Sequence, residues 1–251
     1  MVDPNPMFYG MIFEVFIICI GLVMLILIFR KYLEKRHRLT LYLFTIFLCF
    51  TIAIIFSCLS KVLRLYSGLD YLTNPSVADP GTIESWFFLR IVAFRISFVF
   101  VTIAILFSYI LKINLFEKEA NKVHKKIVFI YAGVTIIYML FVYIKGNVLL
   151  DLFTFSIIAL FMGVINFAFM LRCLEAYRNV EDPTFRRAFL SLSIMALCYM
   201  LIFVFQIIDR ILMMTLNIIG YTIFYYLGWS VAIVAIICAY LGYIRPKSKE
   251  A

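Results

Sequence analysis

A helix needs roughly 20 mostly apolar residues to cross the hydrocarbon core of a bilayer. Seven stretches of this chain meet or approach that length, at about 8–29, 40–60, 88–111, 127–144, 148–171, 188–209 and 216–244. No charge occurs from Thr40 to Ser60 or from Ile211 to Ile244. Lipid is therefore the expected solvent for most of the chain. Composition agrees: 65% of the 251 residues are hydrophobic and 15% charged, with a mean hydropathy of +1.06. Soluble domains have about 45–50% apolar and about 25% charged residues. A soluble enzyme, a disordered chain and a small disulfide scaffold are excluded on this ground.

The placement of Lys and Arg predicts the orientation. Connections after the first, third, fifth and seventh spans are basic, beginning with Arg30, Lys31, Lys35, Arg36 and Arg38. Together they hold 17 of the 23 basic residues, while the acids divide evenly between the two sides. The N-terminus is expected outside and the C-terminus in the cytoplasm, in the cell membrane. The net charge of +9 then reads as a topology signal and an attraction to anionic lipid, not as a nucleic-acid surface. Met1-Val2-Asp3-Pro4 has no basic n-region, and a basic cluster follows the first apolar run, so that run reads as a permanent span.

The predicted fold class is all-α: a single seven-transmembrane-helix bundle over 1–251. Arg30-Lys31-Tyr32-Leu33-Glu34 invites comparison with Arg172-Cys173-Leu174-Glu175, which suggests a 3+1+3 repeat with the fourth span as linker. Asp182 followed by Pro183 predicts an N-cap and first helical residue. The six cysteines lie in or beside spans without a CxxC pair and read as small apolar packers. His37 and His124 read as solvated loop histidines. Asn166 is expected to hydrogen-bond between helices.

Ionisable groups in hydrocarbon are costly and usually face a partner, the bundle interior or water. Here they gather toward the outer end. Glu14 lies in the first span; Ser57, Lys61 and Arg64 share one face of the second at i, i+4 and i+7. Arg90 and Arg95 lie in the third span, Asp151 opens the fifth, and Gln206, Asp209 and Arg210 close the sixth. Asn217, Tyr221 and Tyr225 share a face of the seventh. Two readings stand side by side: an outward-facing cavity lined by these groups, suited to an anionic ligand, or charged decoration of helix ends. In the first, Glu14 pairs with Arg95 or Arg90, and Asp151 or Asp209 with Lys61 or Arg64.

The size, span count and short loops resemble a microbial rhodopsin. The region where such proteins carry their retinal lysine reads Tyr225-Tyr226-Leu227-Gly228-Trp229-Ser230-Val231-Ala232, with no lysine, so a retinal Schiff base is excluded and no cofactor is expected. No span contains an internal proline to break it, which argues against a carrier. The exit Ala239-Tyr240-Leu241-Gly242-Tyr243-Ile244-Arg245-Pro246 is similar to that of prokaryotic seven-helix sensor regions placed before histidine kinases. That resemblance implies a sensor or receptor-like protein. It would bind a small molecule or lipid in an outer-half cavity and signal through a cytoplasmic or membrane partner. A small-solute transporter or channel, and a scaffold or complex subunit, are the alternatives. No HExxH, Ser/His or paired-Asp arrangement occurs in the spans, so an enzyme is not expected.

Overall fold

A computed structural model describes residues 4–74, 76–116, 121–216 and 221–244. All regular structure among them is helical. In chain order it comprises α1 (Pro4–Lys35), α2 (Arg38–Tyr66), α3 (Asp70–Thr73), α4 (Ile83–Val92), α5 (Arg95–Phe116), α6 (Lys122–Phe141), α7 (Val148–Asn179), α8 (Pro183–Thr215) and α9 (Ile223–Ala239). A π-helical turn, Tyr240–Ile244, continues α9. Seven of these elements are long and apolar enough to cross a membrane: α1, α2, α5, α6, α7, α8 and α9 with its π turn. The chain is an integral membrane protein.

The helices α1, α2, α5, α7, α8 and α9 form a closed ring in which each packs on the next and α9 returns to α1. Outside the ring, α6 lies against α5, and the Tyr131 hydroxyl donates to the Ile157 carbonyl of α7 at 3.1 Å. Its apolar residues recur at three- and four-residue steps (Ile127, Ile130, Val134, Ile137, Phe141) and all face outward, as a lipid-facing stripe requires. Beyond Tyr225 the buried residues of α9 are small: Gly228, Ala232, Ala235, Cys238, Ala239 and, in the π turn, Gly242. Small residues let membrane helices approach closely.

Side-chain caps explain the helix starts. Asp182 accepts from the Thr184 amide at 2.7 Å with Pro183 as first helical residue, as the sequence predicts. Asn147 caps α7 through the Leu150 amide, and the His37 ring accepts from the Leu39 amide at the start of α2. His37 thus ends the tight turn at Arg36, while His124 packs edge-on against Tyr109. In the segment before α4, Asp79 accepts from Ser85 and from the Gly81 amide. The Ser85 hydroxyl, then the Gly81 amide, hold its carboxyl below the usual carboxylate range.

Three expectations need correction. The third span is not one helix: it breaks between α4 and α5, at Ala93 and Phe94, without a proline. The last span begins at Ile223, so Tyr221 precedes the helix; Asn217 lies outside the described residues. Asn166 does not reach across helices with its amide nitrogen, which donates to the Met162 carbonyl of its own helix at 3.0 Å. The cysteines are free; five are buried and Cys19 faces outward.

The end of the bundle that holds the start of α1, α3, α4, the α6–α7 turn and the end of α8 is termed the polar end, and the opposite one the basic end. Near the basic end, a Cβ added at Gly242 would collide with the Leu192 side chain and stand 3.2 Å from the Ala188 carbonyl. Gly242→Ala is expected to destabilise the bundle by about 1–3 kcal/mol, the usual cost of overpacking. Adding Leu192→Ala should return part of the loss, as read by thermal unfolding in detergent. An unchanged melting temperature for the single variant would disprove the close approach.

Candidate functional site

Glu14 of α1 is fully buried, and so is Lys61 of α2. Lys61 Nζ donates to both carboxylate oxygens of Glu14 at 2.8 Å. Glu14 Oε1 also accepts from Ser57 Oγ at 2.6 Å and from the Tyr225 hydroxyl of α9 at 2.8 Å. The ammonium sits 5.2–5.3 Å from the ring centroids of Phe94, Tyr221 and Tyr225. One carboxylate thereby joins three helices. The expected partners of Glu14, Arg90 and Arg95, are engaged elsewhere. Sequence spacing placed Ser57, Lys61 and Arg64 on one face but could not say which helix that face meets.

The second feature is the break in the third crossing. Phe94 has φ 61°, a left-handed backbone that costs a non-glycine residue about 1–2 kcal/mol. The Val92 carbonyl accepts from Ser60 Oγ at 3.2 Å and from Arg64 Nη2 at 3.0 Å. A carbonyl freed from helix bonding at membrane depth needs such donors. Ser60 and Phe94 were not singled out from the sequence, because nothing in their local spacing marks a break whose donors come from another helix.

Three arginines converge beside the break. Arg95 is fully buried and donates from Nη2 to Asp151 Oδ1 at 3.0 Å, while its Nε and Nη1 are buried without a partner. Arg64 Nε and Arg210 Nε are likewise buried and unpartnered. Beyond the 4.0 Å approach of Nη1 to the Met213 sulfur, the Arg210 guanidinium has aromatic neighbours: Phe94 and Phe155, each 5.2 Å away, and Tyr221 at 5.9 Å. Asp151 bonds Arg95 and lies within electrostatic range of Arg210 and Arg64. Asp151 therefore pairs with Arg95, not with the expected Lys61 or Arg64.

Other candidates have structural tasks. Asp209 Oδ1 accepts from the Thr222 amide and hydroxyl, both at 2.7 Å, and so fixes the start of α9. It does not pair with Lys61 or Arg64. Arg90 stacks on Trp86 at 3.9 Å and donates to the Leu140 and Trp86 carbonyls. Its contacts lie at the ends of α4 and α6, and the side chain is buried.

A cavity of about 120 Å³ lies inside the ring, with walls from α1, α2, α5, α7, α8 and α9. Its body is apolar, with Phe50, Phe98, Phe155 and Phe203 among the lining side chains. Arg210, Gln206, Ser57 and Tyr225 supply polar atoms to its wall. Of the polar groups that the sequence gathers at this end, Ser57, Gln206, Arg210 and Tyr225 line the cavity. Glu14, Lys61 and Tyr221 stand behind the Tyr225 wall, and Arg64, Arg95 and Asp151 stand behind Arg210 and Phe94. Arg210 is the ionised group on the wall, one of the outer-end charges of the sixth span. No known family matches the chain, and no curated protein or solved structure is significantly similar to it.

The buried pair makes a sharp energetic statement. Removing one partner of a buried ion pair costs about 3–5 kcal/mol, whereas replacing both with uncharged groups of similar volume is often neutral. Glu14→Gln and Lys61→Met are each expected to lose stability on that scale. The double variant should recover to within about 1–2 kcal/mol of the parent protein. Thermal unfolding of all four proteins measures the coupling; additive losses would show that the two groups do not depend on each other.

Proposed function

We propose that the protein is a membrane sensor or receptor-like protein that holds a small molecule or lipid in the cavity at the polar end. On this reading the polar end faces outward and the basic end faces the cytoplasm, since 17 of the 23 Lys and Arg residues fall in the connections at that end or beside them. The position of α6 outside the ring supports its role as a linker between two three-helix halves.

The observation that carries the reading is the route from cavity to basic end along one helix. Tyr225, Trp229, Ala232 and Ile236 of α9 line the cavity at steps of four, three and four residues. The helix then enters the π turn, whose Tyr243 and Ile244 carbonyls accept from Lys31 Nζ of α1 at 2.8 and 2.7 Å. A ligand that moves the α9 wall thus moves an element held at the opposite end. Signalling through a cytoplasmic or membrane partner would start from that end. π turns are frequent at functional sites.

A transporter is the second reading, and two observations favour it. The third crossing is discontinuous, as in many carriers. The cavity also shares Phe47 and Tyr199 with a smaller one of about 20 Å³ beside Asn166, room for a single water. That one shares Leu43, Leu111 and Tyr243 with a larger hollow at the basic end. Aromatic and aliphatic side chains separate the three. A transport path would run through them, and removing both Phe47 and Tyr199 side chains by alanine substitution should then make reconstituted vesicles leak chloride. Vesicles as tight as protein-free ones would count against a path.

The sensor reading is tested without knowing the ligand. Ala53 is buried on the cavity wall, and Ala53→Leu fills part of the space a ligand would take. Hydrogen exchange of amides 240–244 in nanodiscs is expected to change by severalfold relative to the parent protein, while α6 stays unchanged. Identical exchange in the π turn would sink the coupling and with it the sensor reading.

A further inference from the structure

The chemistry of the cavity and of the cations around it can be carried further, to the class of ligand; this step rests on the reading of the cavity as a binding site. Polar-end groups near the membrane interior comprise Lys61, Arg64, Arg95 and Arg210 against Glu14, Asp151 and Asp209. Glu14 is saturated by Lys61, Ser57 and Tyr225. Asp209 Oδ1 is taken by Thr222. Asp209 Oδ2 is buried without a partner, so three acids stand against four cations, and Asp151 forms a direct ion pair with Arg95. Positive charge is therefore in excess where water is scarce. Four guanidinium nitrogens, Arg64 Nε, Arg95 Nε and Nη1, and Arg210 Nε, are buried without an acceptor. A buried donor left without an acceptor costs about 1–3 kcal/mol, and more when charged.

An anion relieves this arrangement, and Arg210 is where it can do so from the cavity. A guanidinium favours planar two-oxygen acceptors such as carboxylates. The rest of the wall asks for something different. Below Arg210 the cavity is lined mainly by phenylalanine rings, with Tyr199 stacked on Phe50 at 5.1 Å between centroids. An apolar protein cavity of about 150 Å³ accepts benzene, so about 120 Å³ suits a ring or a chain of roughly six carbons. A free inorganic anion would leave that space empty; a neutral hydrocarbon would leave the arginine donors unpaired.

We propose that the cavity binds an amphiphilic anion, with its acidic head on Arg210, beside Arg64 and Arg95, and its hydrocarbon part among Phe50, Phe98, Phe155 and Phe203. Two sources share this chemistry: a free medium-chain or aryl carboxylate, and the acyl chain and head of an anionic membrane lipid.

Trp229 lines the cavity and Trp86 stacks on Arg90 outside it, and the chain has no other tryptophan. Bromine quenches indole fluorescence on contact, so 6-bromohexanoate can report occupancy in the full chain held in neutral phosphatidylcholine nanodiscs. Saturable quenching is expected, and it should vanish in Trp229→Phe, which retains Trp86. Arg210→Gln should weaken the apparent affinity at least about tenfold, the scale of one charge-assisted contact. Arg210→Lys keeps the charge and should weaken it less. Ala53→Leu, which leaves every arginine in place, should abolish binding by filling the cavity. Adding phosphatidylglycerol separates the sources: competition with the probe identifies a lipid occupant, and its absence a free acid. If the neutral 6-bromohexan-1-ol binds as tightly and Arg210→Gln has no effect, the cavity remains a binding site but the anionic class is wrong. If neither probe quenches Trp229, both the ligand class and the binding reading fail.

Discussion

The Glu14–Lys61 pair sets the arrangement of the polar end. Two opposite charges in a low-dielectric interior must find each other, because the cost of leaving either alone is several kcal/mol. Here the carboxylate sits on α1, the ammonium on α2, and the hydroxyl that completes the shell on α9. Closing the ring of helices at this point requires α9 to lie beside α1. Gly10 makes the approach possible, since a Cβ there would stand 3.2–3.3 Å from the rings of Tyr221 and Tyr225. Those rings stack on each other at 4.0 Å and cover the ammonium. Once Lys61 has taken both oxygens of Glu14, that carboxylate is closed to the arginines, and Arg95 pairs with Asp151.

The break at Phe94 follows from the same shortage. Arg64 lies seven residues after Ser57 on the face that meets Glu14, but the carboxylate is already filled. Its guanidinium turns instead to a backbone carbonyl, and Val92 offers one only because the helix is interrupted. Ser60 adds a second donor to the same oxygen. Together these bonds offset the cost of the left-handed backbone at Phe94. The interruption swings the Phe94 ring between Lys61 and Arg210, 5.3 and 5.2 Å from the two charges. The ring thus stands between the Glu14–Lys61 pair and Arg210.

What the sequence revealed depended on whether the signal was local. Span count, span order and the Asp182-Pro183 start are written in runs of adjacent residues, and the structure contains them. The buried polar groups were also visible, because a glutamate or lysine inside an apolar run is conspicuous wherever it points. Their pairing was not. Spacing at i, i+4 and i+7 assigns Lys61 to a face, yet the choice between Glu14, Asp151 and Asp209 is made by helix neighbours far away in sequence. The break was hidden for the same reason. Residues 88–111 contain no glycine or proline, and the donors that stabilise the gap belong to α2. The late start of α9 has a similar origin, in a cap that Asp209 holds in place from α8.

One element meets every feature of the bundle, and its sequence explains why. Along α9 the polar-end residues are large and carry hydroxyl or indole groups, while the residues that pack against α8 are glycine and alanine. A helix whose inner seam is nearly flat can pack closely without interlocking side chains, so its position is fixed mainly at its ends. At the polar end Asp209, through Thr222, and Glu14, through Tyr225, fix it. At the basic end Lys31 holds the last carbonyls of the π turn, and Gly242 fits against Leu192. Between these anchors the helix forms one wall of a cavity.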